Sequence, residues 1–242
     1  MFGELPKTAA DIFFDPTFAK MVLAKVYSAH LINMLRHNIL LQDVDVVWYR
    51  NPLEFFSSPN IGDFDIYFQD DGARPFGYEA YHANTGFYFA RYNERTAYYF
   101  SSLIGHADMI LKCGNDQYVM NALLNEQASF TGLRVKTLHR DLADFPGGFH
   151  FHNRPQQMKD MIKGKTLPYM FHMSWTKNKI EKRQFLEQMG DFRVSGQCVG
   201  KTASEIFLTT SDRRDVAASC CLVEPVIVCH YRDKPSKEPC KV

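Results

Sequence analysis

Long apolar runs and an excess of charge of one sign are both missing from this sequence. Nothing in it approaches the roughly 18 consecutive apolar residues that a membrane-spanning helix needs. Twenty-eight basic residues against 27 acidic ones leave a formal net charge of +1, whereas a protein that coats nucleic acid carries a larger basic excess. With 45% hydrophobic and 23% charged residues, the composition excludes wholesale disorder. We expect a soluble globular protein without a nucleic-acid partner.

The common motifs for nucleotide binding and hydrolysis are missing as well. The sequence contains no GxGxxG, no GxSxG and no HExxH. Two Gly-Lys-Thr strings, at 164–166 and 200–202, resemble the end of a P-loop. The glycine required earlier is Lys159 in one case and Ser195 in the other, so nucleotide binding of the Rossmann or Walker type is not expected.

The six cysteines include no CxxC pair, which disfavours a zinc ribbon or a thioredoxin motif. Five of them fall within the last 45 residues, in a polar segment rich in Lys and Arg, at positions 198, 220, 221, 229 and 240. That placement favours disulfides on an irregular tail, and with them an oxidising secretory compartment, over free thiols. The lack of an N-x-[ST] glycosylation sequon argues against that compartment.

A helix is predicted to begin at Asp15-Pro16, where a capping acid precedes a proline at the first helical position. Lys25 falls in the middle of the apolar stripe of this helix. A lysine there either extends to solvent along its aliphatic stem or meets an anion, and the sequence leaves both outcomes open. The stripe comprises Phe18, Met21, Val22, Ala29 and Ile32.

Strands and helices alternate along residues 16–140. Residues 39–48 are predicted to form one buried strand that ends in acids, and residues 65–68 and 86–90 two shorter strands. The predicted helices are residues 93–111, 116–126 and 181–189. This alternation indicates an α/β protein rather than a sandwich or a helical bundle.

The segment Asp43-Val44-Asp45 carries the most chemical information. Residues i and i+2 of a strand project from the same face, so both carboxylates could address one point. Two carboxylates this close repel unless a cation neutralises them, and oxygen ligands suit Mn²⁺ or Mg²⁺. The alternative is an acidic pair that makes only capping and turn hydrogen bonds.

Histidines supply further candidate ligands. His172 is followed by several basic residues, and an imidazole can complete the coordination of a Mn²⁺-type ion. His172 could equally be a satisfied structural histidine. The pair His150 and His152 is a second possible metal site, although no carboxylate cluster adjoins it in the sequence.

Three polar segments sit beside predicted strand or helix ends. Asn84-Thr85-Gly86 opens a strand with a small turn where a ligand could approach the backbone. Asn115-Asp116-Gln117 opens a helix, so Asp116 could simply be an acid that caps its N-terminus or complements its dipole. Asp70-Asp71-Gly72 is predicted to be a turn.

Taken in order, several of these segments resemble a known family. They are Lys25, residues 41–52 (LQDVDVVWYRNP), 84–88 (NTGFY), 115–117 (NDQ), 145–148 (FPGG) and 172–176 (HMSWT). The set is similar to the nucleotide-diphospho-sugar transferase domain of the plant and algal rhamnogalacturonan xylosyltransferase and extensin arabinosyltransferase group. The resemblance covers about residues 4–198, and DVDVVW-xx-NP is its most specific string. It divides the chain into a transferase domain (1–198) and a cysteine-rich tail (199–242).

The resemblance implies a GT-A fold, which is a Rossmann-like α/β domain that binds a UDP-sugar or related donor through Mn²⁺ or Mg²⁺. Asp43 and Asp45 would bind the metal, Asp43 would also bind the donor, and His172 would be the third protein ligand. The implied chemistry is transfer of a sugar to a glycan or glycoprotein with retention of anomeric configuration.

The other implied roles fall on residues that surround those ligands. Lys25 and Lys179 would contact the diphosphate, with Lys177 a rival to Lys179. The donor-sugar pocket would contain Asn84 and Gly86. Asp116 and Gln117 would face the reacting sugar.

Location and completeness follow from the same resemblance. It implies a Golgi-lumen protein of type II topology whose membrane contact is made through an anchor outside this sequence. Only 42 residues precede Asp43, fewer than a GT-A domain normally places there, so the domain is expected to be partial at its N-terminus. Two alternatives remain: an inactive transferase-like module that binds glycans or partners, and a metal-dependent hydrolase using Asp43, Asp45 and the His150/His152 pair.

Overall fold

The computed structural model describes residue 10 and residues 14–72, 80–142, 144–209 and 213–228. Within this part of the chain no helix is long and apolar enough to cross a membrane. The strands are β1 (Ile39–Gln42), β2 (Val46–Trp48), β3 (Ile66–Asp70), β4 (Ala83–Ala90), β5 (Val135–Leu138) and β6 (Met170–His172). The helices are α1 (Pro16–Met34), α2 (Pro52–Phe56), α3 (Glu94–Gly105), α4 (Ala107–Cys113), α5 (Asp116–Phe130), α6 (Gly148–Asn153), α7 (Pro155–Ile162), α8 (Lys179–Met189), α9 (Ala203–Thr209) and α10 (Arg213–Cys220).

Four strands form the main sheet, in the order β1-β4-β3-β5. The β1–β4 and β4–β3 pairs are antiparallel, and β3–β5 is parallel. Strands β2 and β6 form a separate antiparallel ribbon. Helices cover this mixed sheet, which confirms the α/β class expected for a GT-A domain.

Side chains along the two central strands, β4 and β3, alternate between the two faces of the sheet, and a core lies on each face. Ile66 and Phe68 of β3 point into a cluster formed with α1, α3, α4 and α5. Tyr67, between them in sequence, points the other way into an aromatic cluster that includes Phe56 and Phe145. A third cluster joins α6, α7 and α8 to β6. Both faces of the sheet are therefore buried, as its nearly continuous apolar strands require.

The first helix begins as predicted but buries a different line of residues. Asp15 caps it by accepting a hydrogen bond from the Phe18 backbone N–H at 2.6 Å, with Pro16 following. The buried line is Ala19, Val22, Val26, Ala29 and Asn33. The predicted stripe was wrong at Met21 and Ile32, which are exposed. Packing against α3 and α4 rotates the buried line by about one residue, and Asn33 fits there because it donates to the Thr96 hydroxyl.

Two other predicted elements need correction. Residues 39–48 form two strands in different sheets, because the chain turns at 43–45 and leaves Val44 fully exposed. The helix predicted for 93–111 breaks at His106, which ends α3 and begins α4. Strands β5 and β6 and helices α2, α6, α7, α9 and α10 were not predicted, since these short elements carry no clear periodicity. The expectation of an irregular tail was wrong at α9 and α10.

A disulfide between Cys198 and Cys220 confirms that the tail cysteines include a staple. The same segment returns to the end of α8, where the Val226 N–H donates to the Phe192 carbonyl at 2.7 Å. Among the described cysteines, Cys113 and Cys221 carry free thiols. Cys229 and Cys240 lie outside the described residues. The predicted boundary at 198/199 stays a prediction.

Asp65 ties three elements together at the start of β3. Its buried carboxylate accepts hydrogen bonds from Arg95 at 2.7 Å, from the Asn93 side chain at 2.8 Å and from the Arg134 backbone N–H at 2.9 Å. Burial works to raise the pKa of Asp65, but the contacts with Arg95 and Arg134 outweigh it and hold that pKa well below its ordinary value.

Replacing Asp65 with Asn should lower the free energy of unfolding at neutral pH by about 3 kcal/mol, because it breaks a buried charge pair. The pKa of Asp65 is depressed in the folded state, so its contribution is present above the unfolded pKa and is lost as the pH falls towards the folded one. The difference between wild type and variant should therefore shrink below about pH 4. Urea titrations at several pH values measure this.

Asp63→Asn is the matched control, because Asp63 pairs with Arg134 and Arg91 but is exposed. That change should cost less than about 1 kcal/mol. Equal losses in the two variants would contradict the role assigned to Asp65.

Candidate active site

The two acids of the DVD segment lie on the turn that joins the main sheet to the β2–β6 ribbon. The Asp43 N–H donates to the Gly86 carbonyl at 2.7 Å, which fixes this end of the turn to β4. The Met173 N–H donates to the Asp45 carbonyl at 3.0 Å, which fixes the other end to the residue after β6. The carboxylates converge because each end of the turn is held by a different sheet, and not because they share one strand face as the sequence suggested.

The ribbon register brings His172 to this turn. Val46 of β2 is paired with His172 of β6, so the imidazole lies beside Asp45. His172 Nε2 is 3.4 Å from Asp45 Oδ1. One ligand atom each from Asp43, Asp45 and His172 fall within 4.8 Å of one another. The structure therefore brings together the three residues predicted to hold a metal.

A bulge in β4 opens the space beside these residues. Phe68 of β3 pairs with Tyr88, but the next residue, Gln69, pairs with Asn84, so residues 85–87 have no partner on β3. Bulges of this kind redirect the backbone next to functional sites. Gly86 is at the centre of the bulge. A Cβ there would lie 2.5 Å from a carbon of the His172 ring and 2.7 Å from Asp43 Oδ2. Glycine is therefore what lets the strand approach the acids and the imidazole.

Lys25 meets anions, which settles the alternative that the sequence left open. Its Nζ lies 3.0 Å from Asp116 Oδ2 and 3.4 Å from Asp43 Oδ1. It also donates to the Thr85 carbonyl at 3.4 Å. Burial alone would lower the pKa of Lys25, but Asp116 and Asp43 together raise it above its ordinary value. The ammonium group is therefore a fixed positive charge inside the cleft.

Lys182 provides a second positive charge that sequence reasoning missed. Its Nζ lies 2.5 Å from Asp45 Oδ2. Burial works to raise the pKa of Asp45, but His172 and Lys182 outweigh it and hold that pKa well below its ordinary value. Lys182 stands on the second turn of α8, ten residues after His172, and only the packing of that helix brings it to the acids.

The other two lysines named from the sequence, Lys177 and Lys179, differ in their relation to the cleft. Lys177 is exposed and lines the cleft. Lys179 begins α8, is exposed and does not belong to the cleft lining. A diphosphate contact from Lys179 stays a prediction.

Asp116 and Gln117 reach the bulge from the start of α5. Asp116 is only 2% exposed and accepts a hydrogen bond from the Thr85 hydroxyl at 3.2 Å. Gln117 accepts one from the Thr85 N–H at 3.1 Å. Asp116 is not the capping residue, because Asn115 accepts the capping hydrogen bond from the Gln117 N–H, but it is an acid in the first turn of α5, where it complements the helix dipole.

On the opposite side, Asn84 links the bulge to the predicted turn at 70–72. Its Nδ2 donates to Asp71 Oδ1 at 2.7 Å, and its Oδ1 accepts from the Gly86 N–H at 2.8 Å. The turn is confirmed, since the Gly72 N–H donates to Asp70 Oδ1 and Gly72 has a φ of +80°. Asp71 also lines the cleft, which the turn prediction did not anticipate.

Trp175 closes the cleft beside Asp71. Its indole N–H donates to the Asp71 carbonyl at 2.7 Å, and its ring packs edge-on against Phe149. The Trp175 backbone is left-handed, with a φ of +60°. The neighbouring Gly148 has to be glycine, because a Cβ there would lie 1.8 Å from the Ser174 carbonyl oxygen. Trp175 is 45% exposed, and backbone strain of this kind is concentrated at active sites and ligand-binding segments.

The histidines at 150 and 152 do not reach the acids. His150 is buried, accepts from the Gly147 N–H at 3.0 Å and lies 2.7 Å from the Arg140 carbonyl, so both ring nitrogens are occupied. Burial lowers the pKa of His150. Residues 150–152 belong to α6, where positions i and i+2 point to different sides. The second metal site and the hydrolase reading built on it therefore have no support among the described residues.

These groups surround one cleft of about 390 Å³. Its walls come from α1, the 43–45 turn, the β4 bulge, the start of α5 and residues 172–182. Two carboxylates and an imidazole nitrogen are a ligand set that Mn²⁺ or Mg²⁺ accepts. The space that a Cβ at Gly86 would fill borders both Asp43 and His172, so the residues present fit a divalent cation.

Comparison with known proteins identifies the family of the chain. The model of the nucleotide-diphospho-sugar transferases matches residues 4–186. The chain belongs to that family. The matched region extends past Lys182, so every charged residue described above at the floor of the cleft lies in the transferase domain.

A beta-arabinofuranosyltransferase of Arabidopsis thaliana, RAY1, is 25% identical to the transferase chain over 219 residues. The alignment covers 76% of this chain and 39% of the relative, so the chain spans about two-fifths of that protein's length. No solved structure matches the chain. The family and this relative confirm the resemblance drawn from the sequence motifs.

The transferase cleft should not tolerate a side chain at Gly86. Gly86→Ala places a carbon against the His172 ring and Asp43, so we expect Mn²⁺ binding to be lost and stability to fall by about 1–3 kcal/mol. Mn²⁺ titration and thermal unfolding measure the two effects. Gly105→Ala is the control, since nothing lies within 4 Å of its Cβ, and it should bind Mn²⁺ like wild type. Unchanged Mn²⁺ binding in Gly86→Ala would contradict this geometry.

Proposed function

We propose that the chain is a metal-dependent glycosyltransferase. It moves a sugar from a nucleotide-diphospho-sugar, a UDP-sugar in the first instance, to a glycan or glycoprotein acceptor. The observation that carries the proposal is the convergence of Asp43, Asp45 and His172 beside a cleft that Lys25, Lys177 and Lys182 line. Family membership supplies the reaction class, and the ligand set supports the metal.

Asp43, Asp45 and His172 would hold Mn²⁺ or Mg²⁺. When bound, the ion neutralises negative charge on the donor diphosphate, which is the leaving group. Asp45 is 90% buried and stays ionised because its pKa is held low by His172 and Lys182. Asp43 is more exposed and faces the open cleft, where it can contact both the ion and the donor. Asp45 would thus be the buried ligand of the pair and Asp43 the accessible one.

Lys25 and Lys182 would stabilise the charge that grows on the diphosphate as the glycosidic bond breaks. Both ammonium groups already lie in the cleft, so no reorganisation is needed to bring positive charge to the leaving group. Lys177 at the rim could add a third contact. Proximity to Asp45 favours Lys182 over Lys179 as the second diphosphate lysine.

Asp116 and Gln117 would lie beside the reacting sugar. The transition state has oxocarbenium character, and a buried carboxylate nearby stabilises positive charge at the anomeric carbon. Asp116 can do this because Lys25 and Thr85 fix its position. Asn84 and Gly86 would form the wall of the donor-sugar pocket. We propose that transfer retains the anomeric configuration, as the family resemblance implies.

The relative suggests the donor class, and the disulfide suggests the compartment. The relative's name describes a beta-arabinofuranosyltransferase, so pentose donors stand first among those to test, followed by hexose donors. The Cys198–Cys220 disulfide favours an oxidising compartment, and we propose the Golgi lumen. Screening UDP- and GDP-sugars with candidate glycan acceptors identifies the substrates.

Asp45→Asn should abolish metal-dependent transfer while the chain stays folded. Removing one anionic ligand weakens binding of the ion that would stabilise the leaving diphosphate. We therefore expect kcat to fall by at least about 100-fold. Sugar transfer is measured with Mn²⁺ and with EDTA, and folding by circular dichroism. Mn²⁺ should raise the melting temperature of wild type, and UDP should raise it further, with neither effect in the variant. Full activity of Asp45→Asn in EDTA would refute the proposal.

Lys182→Met and Lys179→Met test which lysine of α8 serves the diphosphate. Lys182→Met should raise KM for the donor and lower kcat, because it removes a positive charge from the cleft. Lys179→Met is the matched change on the same helix and should leave both constants close to wild type. The reverse result would restore Lys179 as the diphosphate contact.

A further inference from the structure

Gln69 connects the metal ligand His172 to the loop that precedes α6. It is the fourth residue of β3 and is only 1% exposed. Its Oε1 lies 2.7 Å from His172 Nδ1, and its Nε2 lies 3.0 Å from the Phe145 carbonyl and 3.1 Å from the Pro146 carbonyl. The side chain is buried, polar and saturated with partners.

The surroundings permit one orientation of this amide. Carbonyl oxygens only accept hydrogen bonds, so the atom that faces Phe145 and Pro146 has to be the NH₂ group. If the amide were turned over, its oxygen would face the carbonyl oxygens of Phe145 and Pro146, and its NH₂ group would lose both of these acceptors. The oxygen of Gln69 is therefore the atom presented to His172, and it accepts a hydrogen bond from Nδ1–H.

Gly147 leaves room for that contact. A Cβ at Gly147 would lie 2.9 Å from Gln69 Nε2 and 3.0 Å from the His172 carbonyl oxygen. The same loop is bonded to β6, since the His172 N–H donates to the Pro146 carbonyl at 3.1 Å. The Phe-Pro-Gly-Gly string at 145–148 thus supplies acceptors for Gln69 and leaves room for it.

We propose that Gln69 is the positioning residue of the metal site. By accepting from Nδ1–H, it leaves His172 Nε2, 3.4 Å from Asp45 Oδ1, able to present a lone pair to a cation held between Asp43 and Asp45, and it fixes the plane of the ring. An imidazole held through its second nitrogen in this way binds metal more tightly and in a single orientation. This inference rests on the proposed metal site and adds the residue that orients its nitrogen ligand.

Two substitutions separate positioning from simple support of the fold. Gln69→Leu removes both the acceptor for His172 and the donors to the loop. Gln69→Glu keeps an oxygen for His172 Nδ1–H but loses the NH₂ group. We expect both to lower the melting temperature of the metal-free chain. Gln69→Leu should weaken Mn²⁺ binding by about 10–100-fold, whereas Gln69→Glu should stay close to wild type.

Mn²⁺ affinity of the full chain is measured by electron paramagnetic resonance of the free ion, which does not depend on turnover. The same substitutions are then made in a His172→Ala background. If Gln69 acts through His172, Gln69→Leu should cause no further loss of Mn²⁺ affinity there.

The outcomes are distinguishable. Equal losses of affinity in the Leu and Glu variants, or an undiminished loss in the His172→Ala background, would show a purely structural role and overturn the inference while the metal site stands. No Mn²⁺ binding by wild type, or wild-type affinity in His172→Ala alone, would overturn the metal site that includes His172 and this inference with it.

Discussion

The organisation of the cleft depends on one electrostatic constraint: three carboxylates, two of them buried, have to be held close together. Asp43, Asp45 and Asp116 would repel one another strongly without compensation. Lys25 lies between Asp43 and Asp116, and Lys182 lies against Asp45. Helices α1 and α8 therefore do more than cover the sheet, because each delivers one ammonium group to the acids.

Much of the fold and several members of the site could be predicted from local sequence. The Asp15-Pro16 start, the 70–72 turn and the α/β alternation depend on interactions within a few residues, and all three are present. Lys25 was recognisable because a charge interrupts an apolar helical line. Asp43, Asp45 and His172 were recognisable because their residue types suit one ion, and the structure places them together.

The remaining features depend on tertiary packing, which leaves little local signal. Lys182 looks like one more lysine on a polar helix until α8 is docked. Gln69 looks like the polar end of a strand, and its role appears only when β3 meets the 145–148 loop. The buried line of α1 differs from the predicted stripe because α3 and α4 decide which side is covered. Asp43 and Asp45 still converge although the predicted strand was wrong, because each end of the turn is held by a different sheet.

The pairing of lysines with the acids proposed to bind the metal has a thermodynamic consequence. Counted without His172, three carboxylates and two ammonium groups leave the floor of the cleft with one net negative charge. A divalent cation bound there reverses that sign, and an anionic diphosphate restores it. Each ligand thus creates the electrostatic environment that the other needs. Linkage requires the effect to be reciprocal, so the ion raises the affinity for the diphosphate by the same factor as the diphosphate raises the affinity for the ion.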